Sequence, residues 1–132
     1  MPQENVEVVR RAYEALEQTG MAGFLEFCTP EIEYRVRYDL PDAGTYHSHD
    51  GLRALATDWQ NLFEEFRIKP DELIDAGDSV VAMMRISGRG ATSGVDTGNP
   101  YAAVFSVREG KLWRIADYPT RKEALEAAGL RE

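Results

Sequence analysis

Seven apolar residues, Leu52, Leu55, Ala56, Trp59, Leu62, Phe63 and Phe66, fall on a single helical stripe, and directly after them the apolar spacing changes to alternation. No other feature constrains the fold as strongly. A stripe at i, i+3, i+4 and i+7 predicts an amphipathic helix over 50–66, which Ser48 or Asp50 can cap. An alternating pattern after it predicts strands with one buried face, and the two patterns need each other to bury their apolar sides.

The strands can be read in order. Residues 68–76 form a weak strand, interrupted by Pro70, and Ala76-Gly77-Asp78 is a turn. Residues 79–90 are a long strand rich in Val, Met and Ile. The Gly-, Ser- and Asn-containing stretch 90–100 reads as a connection, 101–107 as a strand, Glu109-Gly110 as a hairpin turn and 111–118 as the last strand. A closing helix spans 120–128, opened by the capping-box pattern Thr120 to Glu123 and ended by Gly129.

Upstream, Val6, Val9, Ala12, Tyr13 and Leu16 line one side of a helix over 4–19, which Gly20 ends. A second short helix, 21–28, stops at Thr29-Pro30, since the residue before proline avoids helical geometry. Ile32, Tyr34 and Val36 alternate with charged residues as a half-buried strand, and 38–48 reads as loop. The expectation is one α+β domain over 1–132, with helices on one side of a mainly antiparallel sheet.

Fifteen basic and twenty-three acidic residues give a net charge of −8. Such a surface repels phosphate backbones and anionic lipid, and the scattered Lys and Arg form no basic patch, so neither nucleic acid nor membrane is an expected partner. No apolar run approaches a membrane span, and the first residues lack the pattern of a secretory signal. Cys28 is the only cysteine, so no internal disulfide can form and a reducing, cytoplasmic setting is expected. Placed among Phe24, Leu25 and Phe27, Cys28 is expected to be a buried, inert thiol.

Candidate chemistry is sparse. His47 and His49 stand beside Asp50, but metal sites need three or more ligands and only two histidines exist, so no metal is expected. His49 is then either at a pocket mouth or solvated. Gly88, Gly90 and Gly94 do not lead from a strand into a helix, so a phosphate-cradling loop, and with it a nucleotide cofactor, is not expected. On the last strand Asp117 shares a face with Trp113 and Ile115 if alternation is unbroken, and Arg114 takes the other face unless the strand bulges. Asp117 is a pocket acid if that face points inward and a solvated residue if it does not.

Several stretches resemble the nuclear transport factor 2-like superfamily, and within it the SnoaL-like, polyketide-cyclase-like branch. They are Asn5 to Tyr13, His49-Asp50-Gly51-Leu52-Arg53, Arg89 to Val95, Val104 to Lys111, and Tyr118 to Leu130. The resemblance spans nearly the whole chain and implies a strongly curved, antiparallel or mixed sheet wrapped as a cone around the helices. It implies a pocket for a small apolar molecule, and a homodimer formed through the outer sheet face, which carries Arg85 and Arg89 or their neighbours.

A steroid-isomerase-like chemistry would use Tyr13, an acid near Val36 and a second acid near Ala102 or Ala103. Val36 and the alanines are not acids, and Asp39 lies only in the following loop, so that chemistry is not expected. A hydrolase-like Asp-Arg-Asp set lacks its second inward acid. The polyketide-cyclase-like branch uses an acid near the end of the last strand, and Asp117 matches it. In an apolar cone its carboxyl group would be shifted upward, toward proton transfer near neutral pH. The pocket implied would be lined by Tyr13, Tyr34, His49, Trp59, Phe63, Tyr101, Phe105, Trp113 and Arg114. Two functions fit: a cofactor-independent isomerase, cyclase or lyase, or a binding or interaction module of the same fold without a reaction.

Overall fold

In a computed structural model that describes residues 2–36, 44–90 and 96–130, with the side chains of 2–3, 61–66, 88–90 and 96–99 left aside, the helical stripe and the strands meet. The order is α1 (Pro2–Thr19), α2 (Met21–Leu25), β1 (Cys28–Arg35), β2 (Thr45–His47), α3 (Ser48–Leu62), β3 (Phe63–Asp75), β4 (Ser79–Gly90), β5 (Asp96–Arg108), β6 (Lys111–Tyr118) and α4 (Arg121–Ala127). Six strands form one sheet in the order β2-β1-β6-β5-β4-β3. Every pairing is antiparallel except β1 with β6, so the sheet is mixed. The fold class expected from the sequence is the one observed.

The inner face of the sheet carries Val80, Ala82 and Met84 from β4, Tyr101, Ala103 and Phe105 from β5, and Leu112 and Ile115 from β6. Against them pack Val9, Ala12 and Tyr13 of α1, Phe24 and Leu25 of α2, and Leu52 and Leu55 of α3. Close packing of α2 on α1 depends on Gly23, where a Cβ would sit 3.0 Å from the Ala15 carbonyl oxygen and overlap the Thr19 hydroxyl. α4 lies on the opposite face. Ala124 and Leu125 cover Val81 and Ala102 there, so the helices are not all on one side. The predicted capping of α4 is present: Thr120 Oγ1 accepts from the Glu123 amide at 3.2 Å, and Gly129 takes φ 81° past its end.

Element bounds shift in four places. α3 ends at Leu62 rather than 66, because Phe63 and Glu64 already pair with Gly90 and Arg89 of β4. The helical stripe and a strand end are both compatible with aromatic residues, and the long partner strand decides between them. The predicted connection 90–100 is mostly strand, since β5 begins at Asp96 in unbroken register with β4. The segment predicted as helix to Cys28 ends at Leu25, and Cys28 opens β1 instead. Most of the predicted loop 38–48 lies outside the described residues, but Thr45–His47 pair with β1. No helix is long and apolar enough to cross a membrane.

Candidate functional site

Asp117 is only 4% exposed and is the one charged residue buried among the described residues. Its strand position explains this. Asp117 lies opposite Ala103 of β5, and Ala103 belongs to the inner-face core. One of the two alanines weighed for a missing acid thus sits beside Asp117, while Ala102 faces α4. Parallel pairing of β1 with β6 sets Tyr34 opposite Ile115, one strand away from Asp117. The Tyr34 hydroxyl donates to both carboxylate oxygens, at 3.1 Å to Oδ1 and 3.0 Å to Oδ2. Tyr34 also meets the Trp59 ring edge-on, with centroids 6.1 Å apart.

Tyr13 completes the inner wall. Its ring stands edge-on to Phe24 at 5.2 Å and to Phe105 at 5.7 Å. Burial, aided by the Asp117 charge, pushes the hydroxyls of Tyr13 and Tyr34 well above the usual phenol range. Tyr13, Phe24, Tyr34, Trp59, Leu55 and Ile68 are among the walls of a cavity of about 20 Å³. A buried water needs roughly 10–15 Å³, so this cavity has room for about one water.

The other residues expected at a pocket take separate places. Phe105 is fully buried, and Tyr101 is 4% exposed on the inner face. His49 lies half-buried at the start of α3 with Nε2 3.3 Å from the Cys28 carbonyl oxygen, joining α3 to β1 rather than facing the cavity. The Phe63 side chain lies outside the described residues, as does Asp39. Trp113 and Arg114 both point away from the cavity, Trp113 because of a bulge and Arg114 because alternation with Ile115 is unbroken. The pairing of β6 with β5 passes from Ser106–Arg114 to Val107–Leu112, leaving Trp113 as an extra residue. Trp113 therefore leaves the face of Ile115 and Asp117 and lies under the Arg108 guanidinium, 4.4 Å from the ring centroid. Arg114 pairs with Glu33 at 3.1 Å, away from Asp117.

Cys28 is buried, and its thiol donates to the Phe24 carbonyl oxygen at 3.6 Å. Burial pushes that thiol up to about 12, with Lys111 acting the other way. No group of three or more potential metal ligands forms among the described residues.

Cys28, Tyr13 and Tyr34 all have folded values above their ordinary ones of 9.0, 10.0 and 10.0. Each contributes stability in full below its unfolded value and loses it as pH rises toward the folded one. Urea unfolding should be level from pH 7 to about 8.5 and then weaken, by up to ~1.4 kcal/mol per pH unit for each group in its range. Cys28→Ala should remove the earliest part, between about pH 9 and 10; a level profile to pH 11 in the parent would contradict the burial of all three. Tyr34→Phe should cost about 1.5–3 kcal/mol, because a hydrogen bond to a buried charged group is lost. A loss below about 0.5 kcal/mol would mean that the carboxylate does not depend on this hydroxyl.

The sequence missed Leu16, Met21, Phe24, Leu52, Leu55 and Ile68 as cavity walls. The apolar stripes named several of them as core, which gives no sign of where the core leaves a gap.

The family model for the SnoaL-like domain matches residues 9–115. No curated protein matches the sequence at a significant level. Among solved structures, the chain is similar to an NTF2-like protein of unknown function from Burkholderia pseudomallei K96243, with 23% identity, 93% of this chain and 95% of that one covered, and a TM-score of 0.76. It is similar to TerC co-crystallised with polyporic acid, with 21% identity, 96% and 98% covered, and a TM-score of 0.76. A proposed SnoaL-like polyketide cyclase from Jannaschia sp. CCS1 shares 18% identity, with 96% and 92% covered and a TM-score of 0.75. At these identities the likeness establishes the fold.

Proposed function

Since the chain belongs to the SnoaL-like domain family of the NTF2-like superfamily, we propose that it is a cofactor-independent acid–base enzyme, an isomerase, cyclase or lyase, acting on a small apolar ring compound. The observation that carries this reading is the burial of Asp117, 4% exposed on the inner face with the Tyr34 hydroxyl on its carboxylate. Sequestering a carboxylate in an apolar interior costs stability, and such cost is typical of sites kept for chemistry. Asp117 would take and return a proton at carbon or oxygen of the ligand, and Tyr34 would hold the carboxylate in place. Tyr13 would offer a neutral hydroxyl to a developing oxyanion. The presence of polyporic acid in one structural neighbour is in keeping with a small ring ligand.

The test is proton exchange. Cyclic enolisable ketones, cyclohexane-1,3-dione and 2-tetralone among them, are incubated with the protein in D₂O and deuterium uptake is followed by mass spectrometry. Exchange faster than buffer, lost in Asp117→Asn, supports the acid–base role. Exchange that is equal in the variant sinks it.

A second reading is favoured by the cavity of about 20 Å³. A cavity so small suits a binding or interaction module without a reaction, pairing with a second copy through the sheet in the cell interior. In that case α4 already covers Val81 and Ala102, so pairing would use the β1–β6 part of the outer face. Absence of any catalysed exchange, with a dimer by light scattering, would support this reading over the first.

A further inference from the structure

We propose that the ligand site extends beyond the inner cavity into a groove between α1 and β3, and that the Tyr13 ring is the partition between the two. The groove encloses about 240 Å³ and is lined by Arg10, Glu14 and Glu17 of α1 and by Lys69, Pro70 and Leu73 of β3. Tyr13 lines both the groove and the inner cavity. On β3 the same boundary falls between consecutive residues, with Ile68 lining the cavity and Lys69 the groove. The β3–β4 register shifts between Pro70 and Glu72, so the strand is already irregular where it meets the groove.

Volume decides the argument. Pockets for small molecules start at roughly 300 Å³. The inner cavity, about 20 Å³, is far short of this, and the groove, about 240 Å³, is slightly short. Displacement of one aromatic ring joins them and adds the space the ring vacates. The ring is held by edge contacts to Phe24 and Phe105, and such contacts contribute about 0.5–1.5 kcal/mol each, which a ligand can replace.

The chemistry of the walls names the ligand class. The inner end is apolar and aromatic; Asp117 is not one of its walls and is linked to it through the Tyr34 hydroxyl. The outer end carries both signs, Lys69 against Glu14 and Glu17, while Arg10 is engaged by Glu7, and Asp71 and Glu72 are engaged by Arg85 at 3.0 Å and Arg121 at 2.6 Å. The fitting ligand is elongated and amphipathic, a ring at its inner end and an uncharged polar or zwitterionic group at its outer end. Its inner end rests on the acid–base reading of Asp117; the groove itself can be tested without turnover.

The experiment uses a cysteine reporter in the full chain with Cys28→Ala. Leu55→Cys places a thiol on the inner cavity, and Val81→Cys places one on the opposite sheet face under α4. Labelling by methyl methanethiosulfonate is timed by intact mass under native conditions. Tyr13→Ala should speed labelling of the Leu55 thiol at least tenfold and leave the Val81 thiol unchanged. Lys69→Phe, filling the groove from outside, should slow labelling of the Leu55 thiol in both backgrounds. Equal acceleration at both thiols, or no effect of Lys69→Phe, would overturn the proposal. If Tyr13→Ala does not fold, the Lys69→Phe comparison with Tyr13 intact decides alone. Groove-independent labelling alongside Asp117-dependent exchange would reject the groove and leave the acid standing.

Discussion

Asp117→Asn is expected to lower ligand proton exchange by about 10²–10⁴, the range in which a positioned general acid or base contributes. Asparagine has the same shape, and its amide oxygen can still accept from the Tyr34 hydroxyl, which lies 3.0–3.1 Å from the two carboxylate oxygens in the parent. What it loses is the capacity to take a proton. Ligand affinity should therefore hold while the rate falls. Stability should hold or rise, because a charge no longer has to be kept in an apolar interior. The pairing of results makes the prediction specific: a slow, stable, ligand-competent variant supports the role. A variant that is slow because it is unfolded, seen by loss of cooperative urea unfolding, would mean that Asp117 serves the fold.

The largest stability effect is expected at Phe105. It is fully buried near the middle of the inner face, and its ring supports Tyr13 edge-on at 5.7 Å. Phe105→Ala should cost about 3–5 kcal/mol, from lost apolar burial and from a cavity that rigid strands cannot close. Against a typical total of ~5–15 kcal/mol, this is a large share of what holds the domain together. Urea unfolding and calorimetry measure it directly, and a loss under about 1.5 kcal/mol would mean that α1 collapses into the gap. That collapse would itself move Tyr13 inward, so the variant should also label faster at a cavity thiol if Tyr13 is the partition.

Much of the architecture could be read along the chain because its signals are local. The α1 stripe of Val9, Ala12 and Tyr13, the Glu109-Gly110 turn and the capping of α4 by Thr120 each depend on residues a few positions apart. Where the reading failed, a distant partner had decided the outcome. Phe63 continues a helical stripe, yet pairs with Gly90. Asp96 to Pro100 have the composition of a loop, yet β4 presents them with a complete edge. Trp113 alternates correctly with Ile115 until an unmatched residue in the β5–β6 ladder turns it away.

The same division runs through the site. Asp117 stood out in the sequence because an acid near the end of the last strand matched the SnoaL-like pattern, and its alternation with Ala116 limited it to two faces. Which face was a tertiary matter: pairing of Ala103 with Asp117 puts the carboxylate inside. Tyr34 was legible as a half-buried strand residue but not as its hydrogen-bond donor, since that contact crosses a parallel pairing 83 residues apart. Nothing in the chain order revealed that Tyr13 borders two separate spaces.

By itself, then, the sequence determined the α+β class, the helices and strands with strong local periodicity, the unpaired thiol of Cys28 and the single acid worth following. Periodicity and turn chemistry act within a few residues and survive without knowledge of the rest. The tertiary structure alone decided where α3 yields to β3, that Arg114 pairs with Glu33 away from Asp117, and that Tyr34 meets Asp117. It also decided that the cavity beside Tyr13 and Tyr34 is small. These outcomes depend on strand register and on how closely a curved sheet and its helices approach, quantities set by all the partners at once.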